Sequence, residues 1–576
     1  MSQTPNYDAK VKIILDSLVP GERTCVLTGE KWLMDEKEIG WYKKFNVPPS
    51  KYSPTTRIRL VNSNFVLFDV WYNYHAETGK SVISVIHPAS GVRVLPDEEW
   101  FQKDFTNFGR EINWARPFFD QFFELTRAVP LAASYNYVRP ENSLAFISLG
   151  DIDSYFVIAC KSKRTFYGTN AFDVEDTAEI AFARNVQNSY NIIRAENIFN
   201  CRFLRESYEC SNSAFLFDCR DCEFCFGATN KRHAKYLWFN EQLSKEEWEK
   251  RRAEIDLSSY IRRFEYENKF IKLINQSVWP ENFNLNIEKG SGEYITDASN
   301  ILNGYFVCSG SQSLHFVNHA GPTPSRDSCF AAGMVGSSDC YCGLGFGSCS
   351  KVKFSLCVNN NDIDLEYCNS CYDCEYCFAC VGLRRKKYCI FNKQYSEEEY
   401  WRLVDDLKCA MLKRGEYGEF PLMRFSTQYW KNSGTVQLYG ASEADCKAMG
   451  ADFFEANAAG AEGVDSNEST KDIEKVSDRA GLDELSKVVF LDKVAGRRFR
   501  YLKQELDLYQ KLNIAPPRSH PSRRVQGLYA ELNVPIFKNN ICGKCKKEIQ
   551  VAENRNYHKR TIFCKACYFK FIEENN

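Results

Sequence analysis

The stretch Cys222–Gly227, which reads Cys-Glu-Phe-Cys-Phe-Gly, returns as Cys374–Ala379, which reads Cys-Glu-Tyr-Cys-Phe-Ala, 152 residues further along the chain. The likeness continues, because Lys-Tyr-Leu-Trp-Phe-Asn from Lys235 returns as Lys-Tyr-Cys-Ile-Phe-Asn from Lys387 at the same interval. A constant interval over separate motifs indicates an internal duplication. A duplicated segment in turn predicts a modular architecture.

The residues around these copies favour a mostly β fold. Residues 140–240 and 291–392 alternate short apolar stretches with Asn, Asp, Ser and Gly. Small polar residues tolerate left-handed turns, and short strands joined by such turns are typical of a β-solenoid. We therefore predict two duplicated β-solenoid-like blocks. A β-sandwich stays open as the alternative, because the spacing between the apolar stretches is irregular.

Helices are expected to cover the ends of both blocks. Each copy is followed by a capping box that begins at Ser244 or Ser396, which predicts a helical segment at 241–290 and a helical or mixed cap at 393–454. A Pro-Phe-Phe-Asp-Gln-Phe-Phe stretch within 111–139 predicts a capping helix before the first block. Such helices would protect strand edges that otherwise recruit other chains.

A second repeat relates the two ends of the chain. Residues Glu38–Arg57 and Glu505–Arg524 share Glu, Tyr, Asn, Pro and Arg at an interval of 467. We assign 1–110 and 487–576 to related modules. Residues 455–486 are rich in Ala, Gly, Asn, Asp, Glu and Ser, which predicts a flexible linker that lets the C-terminal module move independently.

The clearest chemical signal lies in the C-terminal module. Cys542 and Cys545 form one C-x2-C pair, and Cys564 and Cys567 form another after eighteen intervening residues. Four thiolates at this spacing close a tetrahedral shell around zinc, with a short hairpin between the pairs. A closed shell leaves no position for water. We therefore predict one structural, non-catalytic zinc ion.

The N-terminal module has lost this ligand set. The interval of 467 places His75 and Thr78 opposite the first cysteine pair, and a shift of one residue places Pro96 and Glu99 opposite the second. These residues cannot reproduce a shell of four thiolates. We expect a degenerate zinc-ribbon-like module whose hairpin persists on packing alone.

The C-terminal pattern resembles uncharacterised Cys-rich zinc-ribbon proteins of reduced-genome bacteria, in which tandem ribbon modules flank a Cys-rich repeat body. The likeness lies in a Glu-Leu-x-x-Tyr helix from Glu505, a Pro-Pro turn, a Pro-x-x-Arg motif from Pro521 and the final C-x2-C ribbon, and extends to Tyr388–Tyr400. It implies the fold but no established activity. It also implies a second quartet of ligands, which here reads Cys25, Thr28, Ser53 and Thr56 in one module and Asp492, Ala495, His520 and Arg523 in the other.

The run of five cysteines from Cys368 to Cys380, one at every third position, allows three interpretations. It is similar to iron–sulfur ligand runs, and it could bind zinc. The duplication favours stacked buried thiols, because Leu216 and Ala228 occupy the positions that correspond to the first and last of these cysteines. In a chain without a signal peptide, clustered cysteines also favour metal ligands or free thiols over disulfides.

Composition and motifs limit the functional class. The chain has 74 basic and 75 acidic residues, and it shows neither a signal peptide nor a long apolar run, so we expect a cytoplasmic protein without a membrane partner. We find no P-loop, nucleophile elbow, dinucleotide fingerprint or H-E-x-x-H motif. The sequence therefore favours a protein that is not an enzyme, although a catalytic cleft between the blocks stays open.

Two hypotheses about function remain. The first is a non-catalytic interaction or scaffold protein, in which a rigid repeat body and a tethered zinc ribbon bind an unknown protein partner. The second is nucleic-acid binding through the basic C-terminal module, because cations interleaved with aromatic residues can hold phosphates and stack bases. Its candidate residues are Arg497, Arg498, Arg500, Arg523, Arg524, Lys546, Lys547, Lys559 and Arg560.

Overall fold

The computed structural model describes residues 2–455, 470–478 and 481–576, and it is rich in strands. The chain forms two compact units. One unit contains the N-terminal residues up to Ala133 and a later segment that begins at Phe283. We call it the second-ladder unit, because it contains the second of the two ladders of paired strands described below. The other combines Ser134–Asn282 with most of the C-terminal part, and we call it the first-ladder unit.

The first ladder is a sheet of eight strands, in which each strand pairs with its neighbour in sequence. All pairs are parallel except the last, which is antiparallel. Arg202 pairs with Tyr190 on one side and with Ala214 on the other, an offset of twelve residues, whereas Tyr155 pairs with Leu144 and with Phe166 at an offset of eleven. The strands are Leu144–Phe146, Tyr155–Ile158, Lys161–Phe199, Arg202–Tyr208, Ala214–Phe217, Phe226–Thr229, Leu237–Trp238 and Glu241–Gln242.

A period of three residues generates the first ladder. From Asn170 to Tyr236, every third residue has a positive φ. Asn and Asp are frequent there because they tolerate the left-handed conformation better than other non-glycine residues. From Ala171 to Ala228 the residue after each such position is buried, and Ile192, Ala195, Ile198 and further residues at the same spacing form the core. A turn every three residues and an offset of twelve give four turns per repeat.

The second ladder follows the same plan in the other unit. Its parallel strands are offset by twelve to fourteen residues, and the last pair is again antiparallel. This pairing does not fit the sandwich alternative, whose sheets are antiparallel. The strands are Leu285–Val307, Gln312–Ala320, Arg326–Val335, Tyr341–Gly347, Leu356–Asn359, Ile363–Glu366, Glu375–Phe378, Lys387–Ile390 and Lys393–Gln394.

The cysteine run lies inside the second ladder. Cys368, Cys371, Cys374, Cys377 and Cys380 are buried in one apolar core. Their thiols donate hydrogen bonds to backbone carbonyls, as Cys368 does to Cys377 at 3.4 Å. Among the described residues, the ligand atoms of three or more Cys, His, Asp or Glu converge only at the C-terminal cysteines. The run therefore packs inside the apolar core, and among the described residues the iron–sulfur and zinc interpretations of it find no ligand cluster.

Helices follow each ladder as predicted. Ser244 and Ser396 accept hydrogen bonds from backbone N–H groups three residues later and open the helices Lys245–Ala253 and Glu397–Arg414. The predicted helix within 111–139 is Phe118–Ala128, but Phe118 packs against Phe378 of the second ladder. The expectation that it caps the first block is therefore wrong. The remaining helices are Pro5–Asp16, Glu36–Phe45, Pro54–Asn62, Asp97–Trp100, Tyr260–Gln276, Gly434–Gln437, Glu443–Ala448, Leu482–Ser486, Lys503–Lys511, Pro521–Ala530 and Lys565–Glu574.

The two terminal modules repeat one set of short elements. In each module, two hairpins alternate with helices, and a helix follows the second hairpin. Their strands are Gly21–Thr24, Lys31–Met34, Trp71–Tyr74 and Ser81–Ser84 in one module, and Val489–Asp492, Arg497–Phe499, Asn533–Ile541 and Glu548–Asn554 in the other. Short strands outside these hairpins are Val94–Leu95, Leu131–Ala132, Val278–Pro280, Thr470–Asp472 and Thr561–Phe563.

The C-terminal module is anchored to the first ladder, contrary to the predicted independent movement. The strand Thr561–Phe563 pairs in parallel with Val278–Pro280, and Thr169 lies 3.1 Å from the hydroxyl of Tyr529. Part of the predicted linker 455–486 is also ordered, because Thr470–Asp472 pairs with the strand Val489–Asp492. Residues 456–469 and 479–480 of that linker lie outside the described residues. In the described part of the chain, no helix is long and apolar enough to cross a membrane.

Candidate metal centre

Four cysteines of the C-terminal module meet at one point. The sulfur atoms of Cys542, Cys545, Cys564 and Cys567 all lie within 4.8 Å of one another, and Cys545 and Cys564 are 3.7 Å apart. Cys542 and Cys564 are buried, Cys567 is half-buried and Cys545 is exposed. Four sulfur donors at such separations can hold a metal ion that prefers tetrahedral thiolate coordination.

Two local structures bring these cysteines together. The first pair lies in the turn of the hairpin formed by Asn533–Ile541 and Glu548–Asn554, where Cys542 N–H donates to Lys547 at 2.8 Å. Lys546 has a φ of 63°, and its N–H donates back to Cys542 at 3.0 Å. The second pair sits at the start of the helix Lys565–Glu574, with Cys564 as N-cap. The N–H groups of a tight turn and of a helix start both point at the sulfur atoms.

These donors favour the thiolate form of Cys542. Burial raises the pKa of this thiol, but backbone hydrogen bonds from Cys545, Cys564 and Lys544 outweigh burial and lower the pKa to about 6. The N–H of Cys564 reaches the sulfur of Cys542 at 3.3 Å. Because a metal binds the thiolate and not the thiol, this geometry prepares the site for a cation.

The same turn occurs at three further places in the two modules, centred on Cys25, His75 and Asp492. Cys25 and His75 donate their backbone N–H to Glu30 and Lys80, both at 2.8 Å, as Cys542 does to Lys547, and Asp492 pairs with Arg497 at the same interval of five residues. In each place a helix start lies opposite, and its N-cap and third residue take the positions of Cys564 and Cys567. These residues are Ser53 and Thr56, Pro96 and Glu99, and His520 and Arg523.

Hydrogen bonds and an ion pair replace the metal at these three places. The carboxylate of Asp492 accepts N–H groups from Val494, Ala495 and His520 at 2.8 to 3.0 Å, as a metal-binding thiolate does, and Arg523 contacts both of its oxygens at 2.8 Å. The arginine therefore supplies the positive charge that a metal would supply.

His75 occupies the position that corresponds to Cys542, and its imidazole nitrogens stand where Cys542 has sulfur. Its Nδ1 accepts the N–H groups of Glu77 and Thr78 at 3.2 and 3.3 Å, so the proton is on Nε2. That nitrogen lies 2.9 Å from the carboxylate of Glu99. The hairpin predicted to persist without metal is present as Trp71–Tyr74 and Ser81–Ser84.

We expect that four cysteines restore a metal site at the Asp492 turn. The variant Asp492→Cys, Ala495→Cys, His520→Cys, Arg523→Cys should bind one more zinc ion per chain than the unaltered protein, because the N–H donors are already in place. Elemental analysis of the purified protein measures this. The variant that changes only Asp492 and Ala495 is the control, and equal zinc in all three proteins would contradict the expectation.

The residues proposed for nucleic-acid binding differ in their exposure. Arg524 is 5% exposed and pairs with Glu505, so it cannot contact a ligand. Arg523 forms an ion pair with Asp492, and Arg560 donates to the backbone carbonyl of Ala552 at 2.8 Å. The exposed members include Arg500, Lys546, Lys547 and Lys559. The half-buried Arg497 and Arg498 belong to the short strand Arg497–Phe499.

A buried network joins the metal-site helix to the first ladder. The hydroxyl of Tyr568 donates to Asp218, and Arg232 contacts Tyr568 at 3.0 Å and Asp218 at 3.1 Å. At the start of the same helix, Lys565 N–H donates to Glu281 at 3.2 Å. The cysteine cluster therefore fixes a helix that is attached to ladder residues and a strand that pairs with Val278–Pro280. No sequence pattern predicts this network, because its members are far apart in the chain.

Comparison with known proteins gives little further guidance. No family model and no curated protein matches the chain. A solved structure titled "putative acetyltransferase from Desulfovibrio desulfuricans G20" is similar at 8% identity and a TM-score of 0.10, and the match covers 48% of this chain and 81% of that chain.

Proposed function

We propose that the C-terminal cysteines hold one zinc ion with a structural role. Zinc favours four thiolates in tetrahedral geometry, and two C-x2-C pairs in turns are typical of structural zinc sites. Four protein ligands leave no position for substrate or water. The mutual approach of the four sulfur atoms to within 4.8 Å is the observation that supports this ion.

The proposed function of the whole chain is that of a non-catalytic scaffold. Parallel strands, an offset of about twelve residues and a turn at every third residue support interpreting each ladder as a four-sided β-solenoid. Such a body is rigid, because its interior is filled with packed side chains. Its outer faces repeat at the spacing of neighbouring strands and so offer an extended binding surface. The protein would act in a reducing compartment such as the cytoplasm, since all 25 cysteines lie outside disulfides.

Photo-cross-linking of the intact chain tests the scaffold function. A photoreactive residue at Asn185 or Asn197, which are exposed and stacked 3.0 Å apart on the first ladder, should yield a discrete adduct in extract of the native source. Excess chain without the photoreactive residue should compete for the partner and reduce the amount of this adduct. Labelling that never saturates, or turnover of a substrate by the purified chain, would contradict the proposal.

Nucleic-acid binding is the second candidate, and exposed cations beside the cysteine cluster favour it. Lys546 and Lys547 lie in the turn between the two cysteine pairs, and both are exposed. If they hold phosphates, the double variant Lys546→Glu, Lys547→Glu should weaken binding of single-stranded RNA or DNA and reduce its salt dependence. Equal binding by both proteins would remove this candidate.

A further inference from the structure

The two terminal modules attach to their own ladders through equivalent contacts. Arg57 lies over the ring of Phe330 at 3.9 Å, and its counterpart Arg524 lies over Tyr167 at 4.6 Å. Lys44 pairs with Asp339 at 3.1 Å and its counterpart Lys511 pairs with Asp176 at 3.0 Å. The helices Glu36–Phe45 and Lys503–Lys511 therefore each contact one ladder through the same pair of side chains, although the contacted ladder residues are 163 positions apart and not at the interval of 152 that relates the ladders.

In the second-ladder unit, an indole fills the space between helix and ladder. The ring of Trp41 packs edge-on against His315 at 5.0 Å, and its N–H donates to His315 Nδ1 at 2.7 Å. Lys44 lies above the indole at 5.1 Å, and Phe45 stacks on it at 5.7 Å. Burial lowers the pKa of His315 to about 4, helped by Lys37, so this histidine is neutral and accepts the bond.

In the first-ladder unit, the counterpart of Trp41 is Leu508, and a cleft of about 680 Å³ remains open. Its apolar wall consists of Leu144, Tyr155 and Phe166, which are stacked on successive strands. Leu508 forms part of the opposite wall. A leucine is too short to reach across as the indole does, so the same architecture leaves an apolar slot.

The rim of the cleft carries an excess of negative charge. Asp153, Asp176 and Asp507 line it together with Arg164 and Lys511. Both cations are held by Asp176, at 2.7 Å from Arg164 and 3.0 Å from Lys511. Asp153 and Asp507 are exposed, and no ion pair of either is found among the described residues. A ligand with a positive group beside its apolar part would complement this rim.

We propose that this cleft binds an aromatic side chain of a partner protein, with a basic residue next to it. In the other unit, the indole of Trp41 lies between the counterpart helix Glu36–Phe45 and its ladder, so an indole is compatible with this arrangement. The acidic rim favours a cation next to the aromatic group. The inference rests on the proposed scaffold function and deepens it by specifying the partner's chemistry. A buried aromatic anchor is the group that most often dominates protein–protein affinity.

A short peptide tests the cleft on the full chain. The probe is acetyl-Lys-(5-fluoro-Trp)-Lys-amide, observed by fluorine NMR so that the ten tryptophans of the protein do not interfere. We expect saturable binding with a dissociation constant of about 1 mM or below. The variant Leu508→Trp should weaken binding at least about tenfold, because its own indole occupies the slot. Asp507→Lys should weaken binding about threefold or more.

Matched controls make the result decisive. Lys503→Trp places an indole on the same helix at an exposed position that does not line the cleft, and it should bind the probe like the unaltered chain. A probe with Glu in place of Lys should bind more weakly. No saturable shift up to about 10 mM, or equal binding by Leu508→Trp and the unaltered chain, would overturn the proposal.

The same variant separates this inference from the scaffold function. If the cross-linked adduct persists in Leu508→Trp while the probe fails to bind the unaltered chain, the cleft is refuted and the scaffold function stands. If the probe binds but no saturable adduct forms in extract, the cleft stands and the scaffold function is refuted. Loss of the adduct in Leu508→Trp but not in Lys503→Trp would support both.

Discussion

Cys564→Ser is expected to lose the proposed zinc ion and to detach the C-terminal strand and helix from the rest of the first-ladder unit. Cys564 is the N-cap of the helix Lys565–Glu574 and one of the four sulfur donors, so Cys564→Ser removes a ligand but keeps the backbone N–H that donates to Cys542. Structural zinc in small thiolate modules is worth about 10 kcal/mol or more of folding free energy. The segment around it is short and cannot replace that energy with apolar burial.

The effect should spread beyond the metal site along contacts that the structure names. The strand Thr561–Phe563 pairs with Val278–Pro280, and Tyr568 contacts Asp218 and Arg232. Hydrogen exchange should therefore increase both at the cysteine turns and in the strand Val278–Pro280. The second ladder, which belongs to the other compact unit, should keep its protection.

Elemental analysis and hydrogen exchange on the full chain check this prediction together. The control is Cys409→Ser, which alters a half-buried thiol of the helix Glu397–Arg414 and should keep one zinc per chain. Zinc retained by Cys564→Ser would contradict the assigned ligand set. Iron in the unaltered protein, or two or more zinc ions, would instead return attention to the cysteine run of the second ladder.

Local patterns in the sequence predict the local structures well. Ser244 and Ser396 cap helices as expected, and the four C-terminal cysteines converge. Helix caps and C-x2-C turns depend on hydrogen bonds between residues a few positions apart, so sequence spacing carries the information. The repeated modules are likewise visible because each keeps its own local turns.

The period of the first ladder was harder to detect, although it is present in the sequence. Its buried positions, such as Ile192, Ala195, Ile198, Cys201 and Leu204, recur at every third residue. A period of three matches neither the helix period of 3.6 nor the strand period of two, and Ser occupies some of the positions. Considered as separate strands, the apolar stretches are therefore irregularly spaced.

Long-range pairing could not be read from the sequence. Nothing local indicates that Tyr568 meets Asp218, or that the helix Phe118–Ala128 packs on the second ladder. The buried position of Arg524 was missed for the same reason, since a run of cations looks alike whether it faces solvent or a buried carboxylate. Burial depends on which surfaces meet, and that is decided by contacts between distant segments.

Arg524→Met is expected to destabilise the first-ladder unit by about 3 to 5 kcal/mol, because it leaves a buried carboxylate without its partner. The side chains of Arg524 and Glu505 are 1% and 0% exposed, and they lie 3.2 Å apart. Urea unfolding of the full chain, followed by a probe in this unit, measures the loss. Replacing both residues, as in Glu505→Leu with Arg524→Met, should recover most of the stability, since no unpaired charge remains.

The pH dependence of Arg524→Met identifies the cause of the loss. Burial raises the pKa of Glu505, and Arg524 opposes that shift, so removing the arginine raises this pKa further. A folded-state pKa above the unfolded value of about 4.5 means that stability is retained below that pH and is lost as the pH rises toward the folded-state pKa. The variant should therefore be closer to the unaltered protein at pH 5 than at pH 8. A loss that does not change with pH would assign the effect to packing against Tyr167, and the double variant would then fail to recover stability.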